Sequence, residues 1–204
     1  TNCGSTVFDR TDRQGRTRFE YHRYGHCLWH GGDAGLYWRQ HFGRLFCGME
    51  GFEEDAVCVD FDDEFPIQEV TTGSAFVIVP LKSKKALENL VLDKDKTNEW
   101  LHTNCKTNHR ALYFYCLEDA KLISRMLCIE DNQLKEDAAT GSASTCLQAF
   151  LLKYHSPQIQ IVNHQGDFIN RSSRIYFDGK LTKNHFDIKI GGKTQFIAKG
   201  EWEV

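Results

Sequence analysis

The stretch from Gly141 to Tyr154 constrains this chain more than any other. Ala143, Cys146, Leu147, Phe150, Leu151 and Tyr154 recur at i, i+3, i+4, i+7, i+8 and i+11, which is one face of an α-helix. Ala149 and Leu152 lie off that face, and only Ser144, Thr145, Gln148 and Lys153 are polar. The spacing predicts a central helix over residues 142–154. A helix that is apolar on most sides must be covered on most sides. The segments after it supply a cover: residues 158–162, 174–177, 186–190 and 195–198 read as strands. Asp178-Gly179 and Gly191-Gly192 read as turn dipeptides between them.

The polar start of this helix is the candidate site. Glu136 and Asp137 precede it, where the positive end of the helix dipole favours acids. Thr140 or Ser142 is placed to cap the helix. The backbone N–H groups of Gly141, Ser142 and Ala143 form a ready anion site. On helix physics alone, ordinary capping explains such a start better than a binding site does.

Upstream, residues 56–61 and 74–79 read as strands, the second stopped by Pro80. Residues 83–92 read as a helix with Ala86, Leu87, Leu90 and Val91 on its inner face, and 93–108 as a polar loop. Residues 110–117 read as a strand in which Leu112, Phe114 and Cys116 alternate against Ala111, Tyr113 and Tyr115. Residues 121–129 form another. The fold class expected is α+β, a barrel-like antiparallel sheet wrapped around a central helix.

The first third is different. Residues 1–51 hold seven Arg and no Lys, whereas the rest holds 14 Lys and four Arg. Nine of the 16 Gly fall there too. Periodicity is poor, and no element is assigned before about residue 55. The shift implies a truncation, a splice, a fusion, a frame error or a divergent domain. His22, His26 and His30 would share a face and hold zinc only on a helix, which Gly25 interrupts. No metal site is therefore expected.

Net charge is −3, which gives no electrostatic case for nucleic acid. No apolar run approaches the ~18 residues of a membrane helix, and no signal-peptide pattern opens the chain. The eight Cys show no C-x-x-C pair, and several sit inside apolar runs. That usage points to free thiols in a reducing, cytoplasmic compartment.

Residues 136–143, Glu-Asp-Ala-Ala-Thr-Gly-Ser-Ala, resemble the signature of the phenazine-biosynthesis PhzF-like family, which usually has Pro in place of Ala138. Ser124-Arg125-Met126-Leu127, Gln165-Gly166, Arg171-Ser172-Ser173-Arg174-Ile175, Gly191-Gly192-Lys193 and Ala198-Lys199-Gly200 resemble further family landmarks. Residues 73–87, with Phe76-Val77-Ile78-Val79-Pro80-Leu81, resemble the opening of its second domain, and Asp60-Phe61…Phe65-Pro66 the end of its first. The resemblance covers roughly residues 55–204. Ser172 replaces the usual Pro of Arg-Pro-Ser.

The resemblance implies a diaminopimelate-epimerase-like fold: two similar domains, each a sheet around a helix, with the site between them; residues 1–66 are then a remnant or divergent part of the first domain and 67–204 the second. It implies an isomerase or epimerase that moves a proton on a small cyclic or amino-acid-like carboxylate, with neither cofactor nor metal. It also implies a homodimer. Carried over by position, Asp137 is the signature's acid, and Thr140, Gly141 and Ser142 hold substrate. Gly25-His26-Cys27 echoes the family's Cys-Gly-His-Ala-Thr motif, which makes His26 a second catalytic candidate and Gly25 a substrate-binding one. The family's Ser-Glu-Thr-Ala-Phe motif, which carries its catalytic Glu, is not found in this sequence, nor is its Phe-Gly-Gly-Asn-Pro-Ala segment. A catalytically silent relative that binds a metabolite or a protein is therefore the alternative.

Overall fold

The computed structural model describes residues 5–11, 17–23, 28–30, 60–105, 111–183, 185–193 and 197. Strands β1 (Ser5–Thr11), β2 (Thr17–Arg23), β3 (Leu28–His30), β4 (Gln68–Thr71), β5 (Ala75–Pro80), β6 (Ala111–Glu118), β7 (Lys121–Glu130), β8 (Gln133–Asp137), β9 (Gln158–Gln165), β10 (Ser173–Thr182) and β11 (His185–Lys193) join in one sheet. Its order is β1-β2-β11-β10-β9-β7-β6-β5-β4-β3, with β8 branching from β7. Pairs β5–β6 and β7–β9 are parallel and the rest antiparallel, so the sheet is mixed. The helices are α1 (Lys84–Glu88), α2 (Lys94–Asn104) and α3 (Gly141–Tyr154).

Helix α3 is the predicted central helix, and the sheet curls around it. Residues 143–152 are all buried, polar ones included. The helix packs against β4 and β5 on one arm of the sheet and β9, β10 and β11 on the other. Its Leu147 and Phe150 join Val70, Ile78, Tyr113, Tyr115, Phe177 and Ile188 in one core cluster. The outer face of the sheet forms a second cluster, where Val77, Val79, Leu112, Phe114 and Cys116 meet Leu87, Trp100 and Leu101. The alternation read in β6 thus sends two sets of side chains to two cores, and both faces of that strand are buried.

Several expectations need correction. Residues 94–104 are helical, not a loop: the Asp93 carboxylate caps α2 by accepting from Lys96 N–H at 2.8 Å. Thr97, Trp100 and Leu101 then fall on one buried stripe, too narrow for the polar composition to betray. Helix α1 is shorter than 83–92, and Val91 is 56% exposed. The Arg125 guanidinium takes the carbonyls of Leu87 and Leu90 at 2.7 and 3.3 Å, which satisfies the helix end there. Asp178-Gly179 and Gly191-Gly192 are not turns but lie inside β10 and β11. A Cβ at Gly179 would run into the buried Gln148 amide and approach Asp187 O to 3.0 Å. That glycine serves close packing on α3. Strands also exist before residue 55, where none was assigned. His22 lies in β2 and His30 in β3, at opposite ends of the sheet, so they share no helix face. Residues 51–59 and 194–196 lie outside the described residues, so the strand expected at 56–61 is described only at its end, and that at 195–198 only at residue 197. At that end, Phe61 bridges Leu81.

His155 caps the far end of α3. Its Nε2 lies 2.9 Å from the Tyr115 hydroxyl, and Phe65 stacks on its ring at 3.7 Å. Burial pushes the imidazole below its usual 6.5, with Asp62 opposing. A histidine held neutral by the fold adds stability above its unfolded pKa and loses it as pH falls through that range. Stability of the wild type should therefore drop more between pH 7.5 and 5 than that of H155Q, a window set around the ordinary value of about 6.5. Urea melts at the two pH values check this, and equal drops would count against the assignment.

Candidate functional site

Strand β8 delivers the signature loop, and its alternation separates the two acids. Glu136 does not stand at the helix start. It faces Arg125, which reaches it from Nε at 3.2 and 3.1 Å and from Nη2 at 2.6 Å. These side chains are 13% and 8% exposed, and the guanidinium also lies 5.1 Å from the centre of the Phe168 ring. The pair is a structural tie between β7 and β8.

Asp137 lies on the opposite side. The Thr140 hydroxyl donates to its Oδ2 at 2.7 Å. Thr140 occupies the cap position with extended backbone, φ −110 and ψ 97, yet its side chain caps nothing. The predicted cap is thus replaced by a hydroxyl turned back on the acid. The first helical bond runs from Ser144 N–H to Thr140 O at 2.9 Å. The N–H groups of Gly141, Ser142 and Ala143 precede it, as donors at a helix start do. The Ser142 carbonyl accepts from Thr145 Oγ1 at 2.6 Å, whereas the Ser142 hydroxyl has no partner among the described residues.

A buried polar cluster holds this loop. Gln165 Nε2 donates to Asp137 O at 2.9 Å and to Thr140 Oγ1 at 3.0 Å. Its Oε1 accepts from Thr140 N–H at 3.4 Å and from the Tyr113 hydroxyl at 2.8 Å. Asn163 Nδ2 and Ser124 Oγ in turn donate to Tyr113 at 2.9 and 3.1 Å, and Ser144 Oγ lies 3.2 Å away. Burial pushes the Tyr113 phenol upward, against the opposing hydrogen bonds, so it stays a donor. Next in sequence, Gly166 adopts φ +80, and a Cβ there would meet Ala138 O at 2.8 Å and the Arg171 carbonyl. The sequence marked Gln165-Gly166 as a landmark without a role. Its partners lie 25 to 52 residues away along the chain, out of reach of any local pattern.

A groove of about 570 Å³ runs along the loop, lined by Ala139, Gly141, residues 172–176 and residues 190–193. Arg174 and Lys193 are its cations, and Arg174 Nη1 also pairs with Asp167 at 3.0 Å. The structure thus brings Asp137, Thr140, Gly141 and Ser142 together at one helix start; of these, Gly141 lines the groove, whereas Asp137, Thr140 and Ser142 do not. Gly25 and His26 lie outside the described residues. Among the described residues no cluster of His, Cys, Asp or Glu converges to hold a metal ion, and no helix is long and apolar enough to cross a membrane. Chemically, the arrangement offers backbone donors for a carboxylate beside an acid that accepts hydrogen bonds.

A family model described as phenazine biosynthesis-like protein matches residues 59–200. An uncharacterized isomerase, YfhB, of Bacillus subtilis is 27% identical over 135 residues, which are 65% of this chain and 46% of that protein. The chain therefore spans about half the length of that curated relative. The crystal structure of a PhzF-family phenazine biosynthesis protein from Bacillus anthracis superposes with a TM-score of 0.68 at 18% identity, over 93% of this chain and 62% of that one. A predicted epimerase from Pseudomonas aeruginosa gives 0.60 at 22% identity, over 100% and 68%. At such identities these two structures speak to the fold.

Proposed function

The chain belongs to the phenazine biosynthesis-like family, and on that premise we propose that it is a cofactor-independent isomerase or epimerase acting on a small cyclic or amino-acid-like carboxylate. The observation that carries this reading is the loop from Asp137 to Ser142. Its helix N–H donors suit a substrate carboxylate. The Asp137 Oδ1 atom, with no hydrogen bond among the described residues beside the Thr140-bound Oδ2, suits an amine or hydroxyl on the same molecule. Asp137 orients that donor or assists the proton transfer, and Thr140, Gly141 and Ser142 complete the cradle. His26 and Gly25 stay as the catalytic and binding candidates of the first segment.

The reading keeps residues 67–204 as the second domain and 1–66 as a remnant or divergent part of the first, whose strands β1, β2 and β3 continue the sheet of the second. It also takes the working form to be a homodimer, which light scattering at micromolar concentration tests directly; a clean monomer would remove it. Cys105, Cys116, Cys128 and Cys146 are free thiols, which supports a cytoplasmic home.

The test is isotope exchange. Incubated in D2O with cyclic amino acids and cyclic hydroxy acids, the protein should place deuterium on the carbon beside the carboxylate, read by proton NMR. D137N should slow that uptake by about 10²-fold or more, the scale of a lost acid–base group. The sequence also motivates a second reading, a silent binder, because the Ser-Glu-Thr-Ala-Phe motif is not found. Binding of such acids without exchange would favour that reading, and neither binding nor exchange would sink both.

A further inference from the structure

We infer that Gln165 is a positioning residue for Asp137, acting through the Thr140 hydroxyl. The inference rests on the reading of Asp137 as a site residue. An amide side chain has one donor end and one acceptor end. Gln165 Nε2 faces the Asp137 carbonyl at 2.9 Å, a group that only accepts. Oε1 faces the Thr140 N–H, a group that only donates. Flipping the amide would set carbonyl against carbonyl and N–H against N–H, so main-chain groups fix its orientation.

Everything else follows from that orientation. Nε2 must donate to Thr140 Oγ1, at 3.0 Å. The Thr140 hydroxyl keeps one proton to give, and the acceptor it meets is Asp137 Oδ2, at 2.7 Å. Oε1 must accept from Tyr113, whose phenol is in turn fed by Asn163 and Ser124. The chain of bonds therefore runs one way, from the core to the acid. Gln165 and Tyr113 are fully buried, so no solvent competes for any link between them. The consequence for the site is a division of labour within one carboxylate. Oδ2 is held by the fold, and Oδ1 is left to accept from a ligand.

The test needs no ligand, so its failure is distinct from failure of the proposed activity. Its readout is the Asp137 side-chain carboxyl 13C resonance at pH 7.5, assigned with D137N. T140S keeps the hydroxyl and should leave the resonance in place, whereas T140V should move it. In Q165E the carboxylate has no donor for Thr140 and competes for its proton, so the resonance should move as well. In the T140V background, Q165E should then move it less than in the wild type, because the side-chain link is gone and only the contact to the Asp137 carbonyl remains. Equal displacements in both backgrounds would mean that Gln165 acts through charge alone, and an unmoved resonance with a lower melting temperature would make it a brace; either overturns the proposal. Should Q165E not fold, Y113F removes only the hydroxyl that anchors Oε1. It should move the same resonance in the direction of T140V, and no movement would again overturn the assignment.

Discussion

Replacing Gly166 with alanine should cost about 2–6 kcal/mol of folding stability, the sum of two effects. Holding a residue with a side chain in left-handed backbone costs about 1–3 kcal/mol, and Gly166 sits at φ +80. Forcing an extra methyl into a packed site costs roughly another 1–3 kcal/mol. Here the methyl meets main chain on two sides, the Ala138 carbonyl at 2.8 Å and the Arg171 carbonyl. Neither neighbour can swing away as a flexible side chain would. The Arg171 and Ile169 N–H groups are also bonded to Gly166 O at 3.0 and 3.3 Å, which closes the turn. Relief must come from the main chain at Ala138, between Asp137 and Thr140, or at Arg171, next to Ser172 of the groove wall, so carboxylate binding should fail together with stability. Gly192→Ala is the control. Among the described residues its Cβ would come no nearer than 4.0 Å to a neighbour, Arg174 O, and the change should stay within about 0.5 kcal/mol. Urea unfolding of the two variants decides the matter, and similar midpoints would remove Gly166 from the account of the loop.

The contrast between these glycines also shows what a single sequence can convey. A glycine needed for a turn and one needed for close approach look alike in the chain. Gly179 and Gly191-Gly192 were expected to end strands. They lie within strands instead, and at Gly179 the reason is the Gln148 amide of α3 pressed against the backbone. Helix α3 was legible because burial on most sides leaves a dense apolar record. Helix α2 was not, because its buried residues are Thr97, Trp100 and Leu101 in an otherwise polar segment. In β6, alternation was legible although both faces are apolar, since aromatic residues with hydroxyls take one side and plain hydrophobes the other.

The same division runs through the site. Asp137, Thr140, Gly141 and Ser142 were legible because they are contiguous and ordered as in the family signature. Glu136 misled, because the acids were read against the dipole of α3. The last residues of β8 still alternate, and Glu136 turns to Arg125 while Asp137 turns to Thr140. Tyr113 carried no local signal and Gln165 only a landmark without a role, since a buried polar network forms only after β6, β7 and β9 are brought side by side. Parallel pairing of β7 with β9, the feature furthest from the expected antiparallel sheet, sets Gln165 opposite Ser124 and so builds that network.

Phe150→Ala should be the most costly core change, at about 3–5 kcal/mol. The ring is fully buried in the middle of α3. It meets Tyr115 edge-on at 5.9 Å and 66°, and Tyr154 at 4.7 Å and 48°. Each such aromatic pair adds roughly 0.5–1.5 kcal/mol beyond the burial of its area. The cost should lie toward the top of the range because the space left behind has little means of closing. Strands β5 and β10 flank the helix from the two arms of the sheet, and both are tied into their own ladders. A cavity that cannot collapse keeps its full penalty. Val91→Ala provides the comparison: Val91 is 56% exposed, so its loss should stay within about 0.5 kcal/mol. Chemical denaturation of both variants, at fixed protein concentration so that assembly does not shift the midpoint, gives the two numbers. A Phe150 effect below roughly 1 kcal/mol, inside the spread of ordinary substitutions, would mean that the sheet does not close on this helix, and the helix start could then not be the fixed platform that the site requires.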